Sequence, residues 1–326
     1  MMNRREALIA LLSAAAVVRT SFARQDPKVY RVGFLGTAFA SGYVRELDWI
    51  REGLRKVGLV EGKNITIEYR WAEGKPERSR EIAKEFVSLK LDAILVHGLP
   101  GALAATRETS TIPIVMADGG DPVAAGLAQS LARPGRNVTG SFSFIAEEVG
   151  KRLQLLKEVQ PRMARVAFLA SSVDLALDVK RNALRAAAKS TNVEVQEFLI
   201  RDPADLPGTF NAMTRAGADG ALINNEPLLN SQAGTIAALA AALRLPSVGY
   251  ATFADSGGLL AYGANRPALY GRAAYFLDRI FKGAPPGDIP FERAARFDVI
   301  VNLKTAKALG IPIPKSILAL ADRVIE

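Results

Sequence analysis

The side chains of this sequence that could do chemistry come directly after short apolar runs. The clearest case is His97, which follows the run from Asp92 to Val96 and is the only histidine in a chain without cysteine. These counts exclude a site with several histidine ligands, a thiolate zinc site and a cysteine nucleophile. A lone histidine at a strand end is typical of a hydrogen-bonded wall residue, so we expect no catalysis, no metal and no cofactor.

Motifs for phosphate binding and for nucleophilic catalysis are absent from the sequence. The run Gly33-Phe34-Leu35-Gly36 lacks the GxGxxG spacing, and there is neither a Gly-Lys-Ser/Thr loop nor a GxSxG elbow. No pair of acidic residues has a spacing that indicates acid–base chemistry. The residue types therefore favour binding over turnover.

A candidate anion site follows His97. Pro100 predicts a helix start after the turn at Gly98, because proline is favoured at the first helical position. The amides of Gly101 and Ala102 would then lack helical acceptors and could bind a ligand carboxylate at the positive end of the helix dipole. The alternative is an ordinary strand-to-helix turn whose amides are hydrated.

Two acidic residues follow the apolar run from Ile112 to Met116. Asp118 and Asp121 could bind a substrate ammonium, or they could cap and brace the loop that Pro122 ends. We favour bracing for Asp121, whereas both roles stay open for Asp118.

Other polar and aromatic residues occupy similar places after predicted strands. Ser171 and Ser172 could cap a helix or reach a ligand, and Tyr250 and Phe253 could stack on a flat ligand or seal a core. The candidate ligand-binding residues are Thr37, Tyr43, His97, Gly98, Gly101, Ala102, Asp118, Ser171, Ser172, Asn224, Glu226, Tyr250 and Phe253.

These residues need a scaffold in which apolar strands alternate with amphipathic helices. Val29 to Leu35 predicts a first strand, and the apolar residues between Tyr43 and Val57 recur at helical spacing. Later strands are predicted at 65–69, 92–96, 112–116, 166–170, 193–200, 220–223, 247–250, 259–262 and 297–301. This alternation is typical of parallel α/β sheets.

The rhythm restarts after Gly150, which predicts two Rossmann-like lobes joined by several chain crossings. We assign 27–140 plus 259–290 to lobe 1 and 141–258 plus 291–326 to lobe 2. Ligands of open α/β sheets bind beyond the carboxyl ends of the strands, so two facing lobes would enclose one cleft.

The composition is that of an ordinary globular protein, with 49% hydrophobic and 23% charged residues. The formal net charge of +9 would suit an acidic partner. Lysine and arginine are nevertheless scattered among glutamate and aspartate and form no basic block. We expect no nucleic-acid binding, because such footprints cluster on one element.

The N-terminus has the pattern of an export signal. Arg4-Arg5, an apolar run from Ala7 to Val18 and Ser21-Phe22-Ala23 form a charged region, a short hydrophobic region and a cleavage site. The run is too short to span a bilayer. We expect residues 1–23 to be removed on export to the periplasm, and the arginine pair resembles a twin-arginine signal. The alternative is an amphipathic first helix of the folded domain.

Seven motifs occur in an order that resembles a known family. They are His97–Ala105, Thr111–Val115, Asp121–Leu127, Arg133–Gly140, Gly257–Gly263, Asn302–Gly310 and Ala321-Asp322. Together they are similar to the substrate-binding proteins of ABC importers, in the group that includes tryptophan-binding members. The resemblance covers essentially the whole mature chain and implies a type I-like periplasmic-binding-protein fold with three hinge crossings. It also implies delivery of a solute to a separate permease and ATPase. The segment Asn224–Pro227 departs from it and matches no ligand pattern.

We therefore expect a monomeric, extracytoplasmic solute-binding component of an ABC importer that meets the membrane only through its permease. Its lobes would close on a small organic solute that is amino-acid-like, aromatic or carboxylate-bearing. The alternative is an exported two-lobed isomerase or lyase that uses cleft carboxylates. A cytoplasmic repressor on the same fold would need a helix-turn-helix where the export signal stands.

Overall fold

A computed structural model describes residues 28–174 and 176–326. The predicted export signal at 1–23 lies outside these residues. Two sheets of mostly parallel strands are connected by helices, which confirms the predicted α/β class. Within the described ranges, no helix is both long and apolar enough to cross a membrane.

Ten of the thirteen strands in the described residues lie close to predicted positions, and the fifth, eleventh and thirteenth were not predicted. The strands are β1 (Tyr30–Gly36), β2 (Ile65–Trp71), β3 (Ala93–His97), β4 (Ile114–Asp118), β5 (Val138–Phe142), β6 (Arg165–Ser171), β7 (Glu194–Ile200), β8 (Gly220–Ile223), β9 (Ser247–Gly249), β10 (Leu260–Ala264), β11 (Glu292–Arg293), β12 (Phe297–Asn302) and β13 (Arg323–Ile325).

Thirteen α-helices of the described residues are interspersed with these strands along the chain. They are α1 (Val44–Lys56), α2 (Pro76–Ser88), α3 (Gly98–Glu108), α4 (Ile145–Val159), α5 (Leu177–Thr191), α6 (Leu206–Arg215), α7 (Pro227–Ser231), α8 (Ala233–Ala242), α9 (Ala251–Asp255), α10 (Arg266–Gly271), α11 (Ala273–Phe281), α12 (Leu303–Leu309) and α13 (Lys315–Leu320). Short 3₁₀ helices span Ala40–Tyr43, Pro203–Asp205 and Pro286–Asp288.

The first sheet has six parallel strands in the order β11-β5-β4-β3-β1-β2. Its centre is apolar on both faces, as a sheet covered by helices requires. β5 was not predicted, because Thr139 and Ser141 give it a polar composition. Gly140 has a φ of 141°, and a β-carbon there would lie 2.1 Å from the Met116 carbonyl oxygen. The close approach of β4 and β5 therefore requires glycine.

The second sheet has seven strands in the order β13-β12-β10-β9-β8-β6-β7. Only the β10–β12 pair is antiparallel among the pairs of the described residues. Its apolar core includes Leu169, Phe210, Tyr250 and Phe253 on one face, between the sheet and the helices that cover it.

The chain passes between the two sheets after β5, after β10 and after β11. The boundaries that we predicted for the lobes differ from these pairings. The range 259–290 was assigned to lobe 1, but β10 pairs with β9 and β12 of the second sheet. The range 291–326 was assigned to lobe 2, but β11 pairs with β5 of the first sheet. The strand pattern does not reveal these partners, because pairing is decided by tertiary contacts.

Candidate functional site

The carboxyl ends of the two sheets face each other across a cleft, and the lobes touch beyond it. A β-carbon on Gly42, in the 3₁₀ helix after β1, would lie 3.0 Å from Pro227 Cβ at the start of α7. On α1, Arg45 donates to Thr252 Oγ1 at 3.1 Å and lies 3.6 Å from an Asp255 carboxylate oxygen. These contacts join residues of different lobes, so the cleft is closed.

The first-lobe wall of the cleft holds His97 at the end of β3. Its Nδ1 forms a hydrogen bond with the Tyr270 hydroxyl, and that hydroxyl accepts from Arg266 at 3.0 Å. Burial, followed by the positive charges of Arg266 and Lys180, lowers the pKa of His97 to about 3. The imidazole is therefore neutral at physiological pH. Because the Tyr270 oxygen already accepts from Arg266, its own proton is available to Nδ1, which favours the tautomer with the proton on Nε2.

Asp118, at the end of β4, is the acidic group of the same wall. Its Oδ1 accepts from Ser143 Oγ at 3.1 Å, while Oδ2 lies 3.7 Å from an Arg266 nitrogen. Arg266 makes its shorter ion pair, of 2.9 Å, with Glu46. Burial raises the pKa of Asp118, and the nearby Arg266 charge opposes this shift. Hydrogen bonds from the Ser143 hydroxyl and the Gly119 amide also oppose the shift. Asp118 therefore accepts from neutral groups, and its ion pair with a cation is long.

Aromatic side chains line the neighbouring strand ends. Tyr43 is 1% exposed and stacks on Trp71 with ring centroids 5.3 Å apart, and its edge meets His97 at 5.0 Å. The Tyr43 hydroxyl lies 3.2 Å from Thr37 Oγ1 and accepts from the Ala38 amide. Trp71 was not among the predicted site residues. Its position at the carboxyl end of β2 could have indicated it, because His97 and Asp118 end their strands in the same way.

The predicted anion site at the start of α3 is wrong in its details. The helix begins at Gly98, which has a φ of 77°, and not at Pro100. Gly101 and Ala102 are then the fourth and fifth helical residues, whose amides donate within the helix. Gly101 instead permits close packing, since a β-carbon there would lie 3.3 Å from Val96. Glycine at a positive φ starts this helix earlier than proline preference suggests.

The second-lobe wall is built around Asp174, in the loop after β6. Its Oδ2 accepts from Lys180 Nζ and from Asn224 Nδ2, both at 2.7 Å, and its Oδ1 accepts from the Ala176 amide. Lys180 is only 4% exposed and also donates to the Asn225 carbonyl at 3.2 Å. Asp174 and Lys180 were not predicted. No feature of the sequence separates Lys180 from the solvated lysines on other helices.

Of the two serines before this loop, Ser171 hydrogen-bonds to the backbone. Ser171 is buried, and its Oγ accepts from the Val173 amide at 3.3 Å. Ser172 is exposed to solvent. In the first lobe, Asp121 Oδ1 accepts from the Val123 and Ala124 amides, which is the bracing role that we favoured.

Three further predicted residues lie behind the second-lobe wall. Glu226 caps α7 by accepting from the Leu228 and Leu229 amides at 3.0 and 2.8 Å, and burial raises its pKa to about 7. The Tyr250 hydroxyl donates to the Leu229 carbonyl at 2.7 Å. Phe253 is fully buried in the core. Capping and core packing account for all three side chains, and Asn224 is the predicted residue that stays in the wall.

Comparison with known proteins gives the family. The family of ABC transporter substrate-binding proteins matches residues 41–325. The chain belongs to this family. It is 28% identical to the tyrosine-binding protein of Clostridioides difficile (strain R20291) over 270 residues, which cover 81% of this chain and 77% of that protein. It is thus the solute-binding component of an ABC importer, as the sequence motifs predicted.

Two solved structures have a fold similar to that of this substrate-binding protein. An ABC domain from Streptococcus pneumoniae in complex with L-Trp has a TM-score of 0.80 at 23% identity and covers 91% of this chain and 100% of its own. The ligand-free, open structure of a substrate-binding protein with adhesive properties from Clostridium difficile has a TM-score of 0.65 at 26% identity and covers 91% and 99%.

A buried ion pair lies between two second-lobe elements that flank the hinge crossings of this substrate-binding protein. Arg152 of α4 lies 3.1 Å from Glu148 and donates to the Tyr262 carbonyl at 2.6 Å. A β-carbon on Gly263 would lie 3.1 Å from both charged groups. The pair therefore connects α4, which follows the first crossing, to β10, which precedes the second crossing. No group of three or more potential metal ligands occurs among the described side chains.

Proposed function

We propose that this substrate-binding protein takes up an α-amino acid with a flat, aromatic side chain and binds it without turnover. Asp118 carries the proposal. It is a half-buried carboxylate on the cleft wall, with a side chain that is 15% exposed, and the ion pair of its Oδ2 with Arg266 is long at 3.7 Å. A ligand ammonium would give this oxygen a short, charge-assisted partner.

Two further observations support an aromatic ligand. Trp71 and His97 are half-buried aromatic residues at the carboxyl ends of β2 and β3, and both pack on the buried Tyr43. In addition, one relative is named for tyrosine and one similar structure contains L-Trp. The neutral imidazole of His97 could donate from Nε2 to a ligand oxygen.

Transport from the periplasm completes the proposal. The pattern of residues 1–23 supports export with signal removal, and we propose that the mature chain acts as a monomer that presents its closed form to the permease. N-terminal sequencing of protein from the cell envelope tests this, with a first residue at or near Arg24 as the expected result.

Calorimetry with two ligands tests the binding proposal. L-Tyrosine should bind the wild-type protein, and 3-(4-hydroxyphenyl)propionate, which lacks the amine, should bind more weakly. Asp118→Asn should reduce affinity for tyrosine about tenfold to a hundredfold, as expected for the loss of a charge-assisted contact. Its effect on the deaminated analogue should be small.

Asp121→Asn is the matched control, because Asp121 lies three residues further along and serves the backbone. It should leave both affinities unchanged. Equal losses for the two ligands in Asp118→Asn would contradict an amine-binding role and leave loop bracing as the function of Asp118.

A further inference from the structure

Asn224, Asn230 and Asp298 are the second-lobe residues with a buried side-chain oxygen that has no hydrogen-bond partner among the described residues. Of these three, only Asn224 lies at the carboxyl end of a strand. It follows the last residue of β8, has no exposed surface, and donates from Nδ2 to Asp174 Oδ2 at 2.7 Å. Its Oδ1 is buried and has no hydrogen-bond partner among the described residues. Buried polar atoms are rarely left unpaired, so this oxygen marks a place where a donor arrives.

The orientation of the amide is determined by its partner. Lys180 pairs with Asp174 at 2.7 Å, and this ion pair keeps the carboxylate an acceptor. A carboxylate can only receive a hydrogen bond, so the nitrogen of the Asn224 amide must face Asp174. The oxygen must then face away from it. The buried lysine thus has an indirect role, because it makes Asn224 present an acceptor.

The end of β8 faces the first lobe. Pro227, three residues after Asn224, packs on Gly42 of the opposite lobe. The charge of Lys180 also lowers the pKa of both His97 and Asp118, so the two walls lie within electrostatic reach of each other. The walls therefore offer two acceptors. One is Asp118 Oδ2 in the first lobe, whose ion pair with Arg266 is long, and the other is Asn224 Oδ1 in the second lobe, which has no partner among the described residues.

We propose that the ligand ammonium bridges the two lobes by donating to Asp118 in the first and to Asn224 Oδ1 in the second. This inference rests on the proposed function and extends it, because it makes a primary ammonium the group that links binding to closure. A ligand with a carboxylate but no amine would leave Asn224 unpaired in the closed form. The closed state would then be less favourable, and the binding protein would select amino acids over their deaminated analogues through its second lobe as well as its first.

Asn224→Leu removes the acceptor while keeping the approximate side-chain volume. Affinity for L-tyrosine should fall tenfold or more, and affinity for 3-(4-hydroxyphenyl)propionate should change less than twofold. Small-angle scattering should show that saturating tyrosine no longer compacts the variant as fully as it compacts the wild type. Should Asn224→Leu fail to fold, Asn224→Ala gives the same comparison of the two ligands.

Asn225→Leu is the control. Asn225 is the next residue along the chain, and its contact with Lys180 is made by the backbone carbonyl, which the variant keeps. This variant should keep the wild-type preference for the amine.

The outcomes separate the two proposals. If the Asn224 variants lost equal affinity for both ligands, or lost none, the bridging role would be overturned. The proposed function would still stand in that case, provided that the wild-type protein binds L-tyrosine more tightly than the deaminated analogue. If the wild-type protein bound both ligands equally tightly, the bridging role and the proposed function would both be overturned.

Discussion

Gly42 of the first lobe packs directly on Pro227 of the second, so closely that a side chain at this position fits only if the two lobes shift apart. Gly42→Val should hold the lobes apart, because a β-carbon alone would already be 3.0 Å from Pro227 Cβ. We expect about tenfold weaker tyrosine binding and a larger radius of gyration in the presence of ligand, with thermal stability nearly unchanged. Scattering and calorimetry measure both effects.

Gly208→Val is the control for this change, since a β-carbon there would meet nothing within 4 Å. The Gly42 prediction would be wrong if Gly42→Val bound tyrosine as tightly as this control.

Arg45 makes the second contact between the lobes, with Thr252 and Asp255. Its side chain is 53% exposed, and exposed ion pairs contribute little. Arg45→Ala should therefore weaken ligand binding by no more than about fivefold, and the effect should shrink at high salt. Arg55→Ala, on the same helix but without a contact to the other lobe, should have no effect. A hundredfold loss in Arg45→Ala would show that this contact, and not the cleft, dominates closure.

The ionisation of Asp118 should make amino-acid binding depend on pH. Burial raises its pKa, and a bound ammonium would favour the charged carboxylate. Affinity for tyrosine should therefore decrease as the pH falls towards the pKa of the ligand-free protein. Asp118→Asn should lose this dependence. Calorimetry from pH 8 to pH 5 checks it, and a parallel decline in both proteins would assign the titration to another group.

The ionisation of Glu226 should lower the stability of the folded protein as the pH rises. Its pKa is raised from 4.5 to about 7, so between these values the folded state holds a proton that the unfolded state releases. The free energy of unfolding then decreases across this window, by up to about 1.4 kcal/mol per pH unit, and the full penalty is present above pH 7. Glu226→Gln lacks this contribution but keeps an oxygen that can cap α7.

Thermal melting at pH 5 and pH 8 tests the Glu226 prediction. The melting temperature of Glu226→Gln, relative to wild type, should be higher at pH 8 than at pH 5. A constant difference between the two proteins would mean that Glu226 ionises at its ordinary pKa in the folded state.

The imidazole of His97 should stay neutral in the folded protein at pH values well below the ordinary histidine pKa. The reason is that burial lowers the pKa of this group to about 3. It is the only histidine, so its ring signals in NMR spectra need no assignment. We expect no titration of these signals between pH 5 and pH 8, and a midpoint near 6.5 in denaturant. A midpoint near 6.5 in the folded protein would contradict the buried site.

Most of the strands could be predicted because each is a short apolar run with a helix after it. The strand β5 could not, since Thr139, Gly140 and Ser141 lack apolar character and the strand exists through its pairing with β4. The same reason explains why β10 was placed in the wrong lobe.

The site was predictable only in part. The residues at strand ends, such as His97 and Asp118, follow from the rule that ligands bind at the carboxyl edge of a parallel sheet. The partners that define their chemistry come from distant segments. Tyr270 and Arg266 lie on α10, and Lys180 lies on α5, where their spacing resembles that of ordinary helix residues.

The sequence alone determined the α/β class, the two lobes, the family and the absence of cysteine and of a second histidine. These follow from local patterns, motif order and composition, which act within short stretches of chain. The tertiary structure alone decided which predicted residues form the cleft walls and which cap helices or fill cores. Burial and pairing depend on residues far apart in sequence, as when Asp174, Lys180 and Asn224 meet and turn one amide oxygen away from the ion pair.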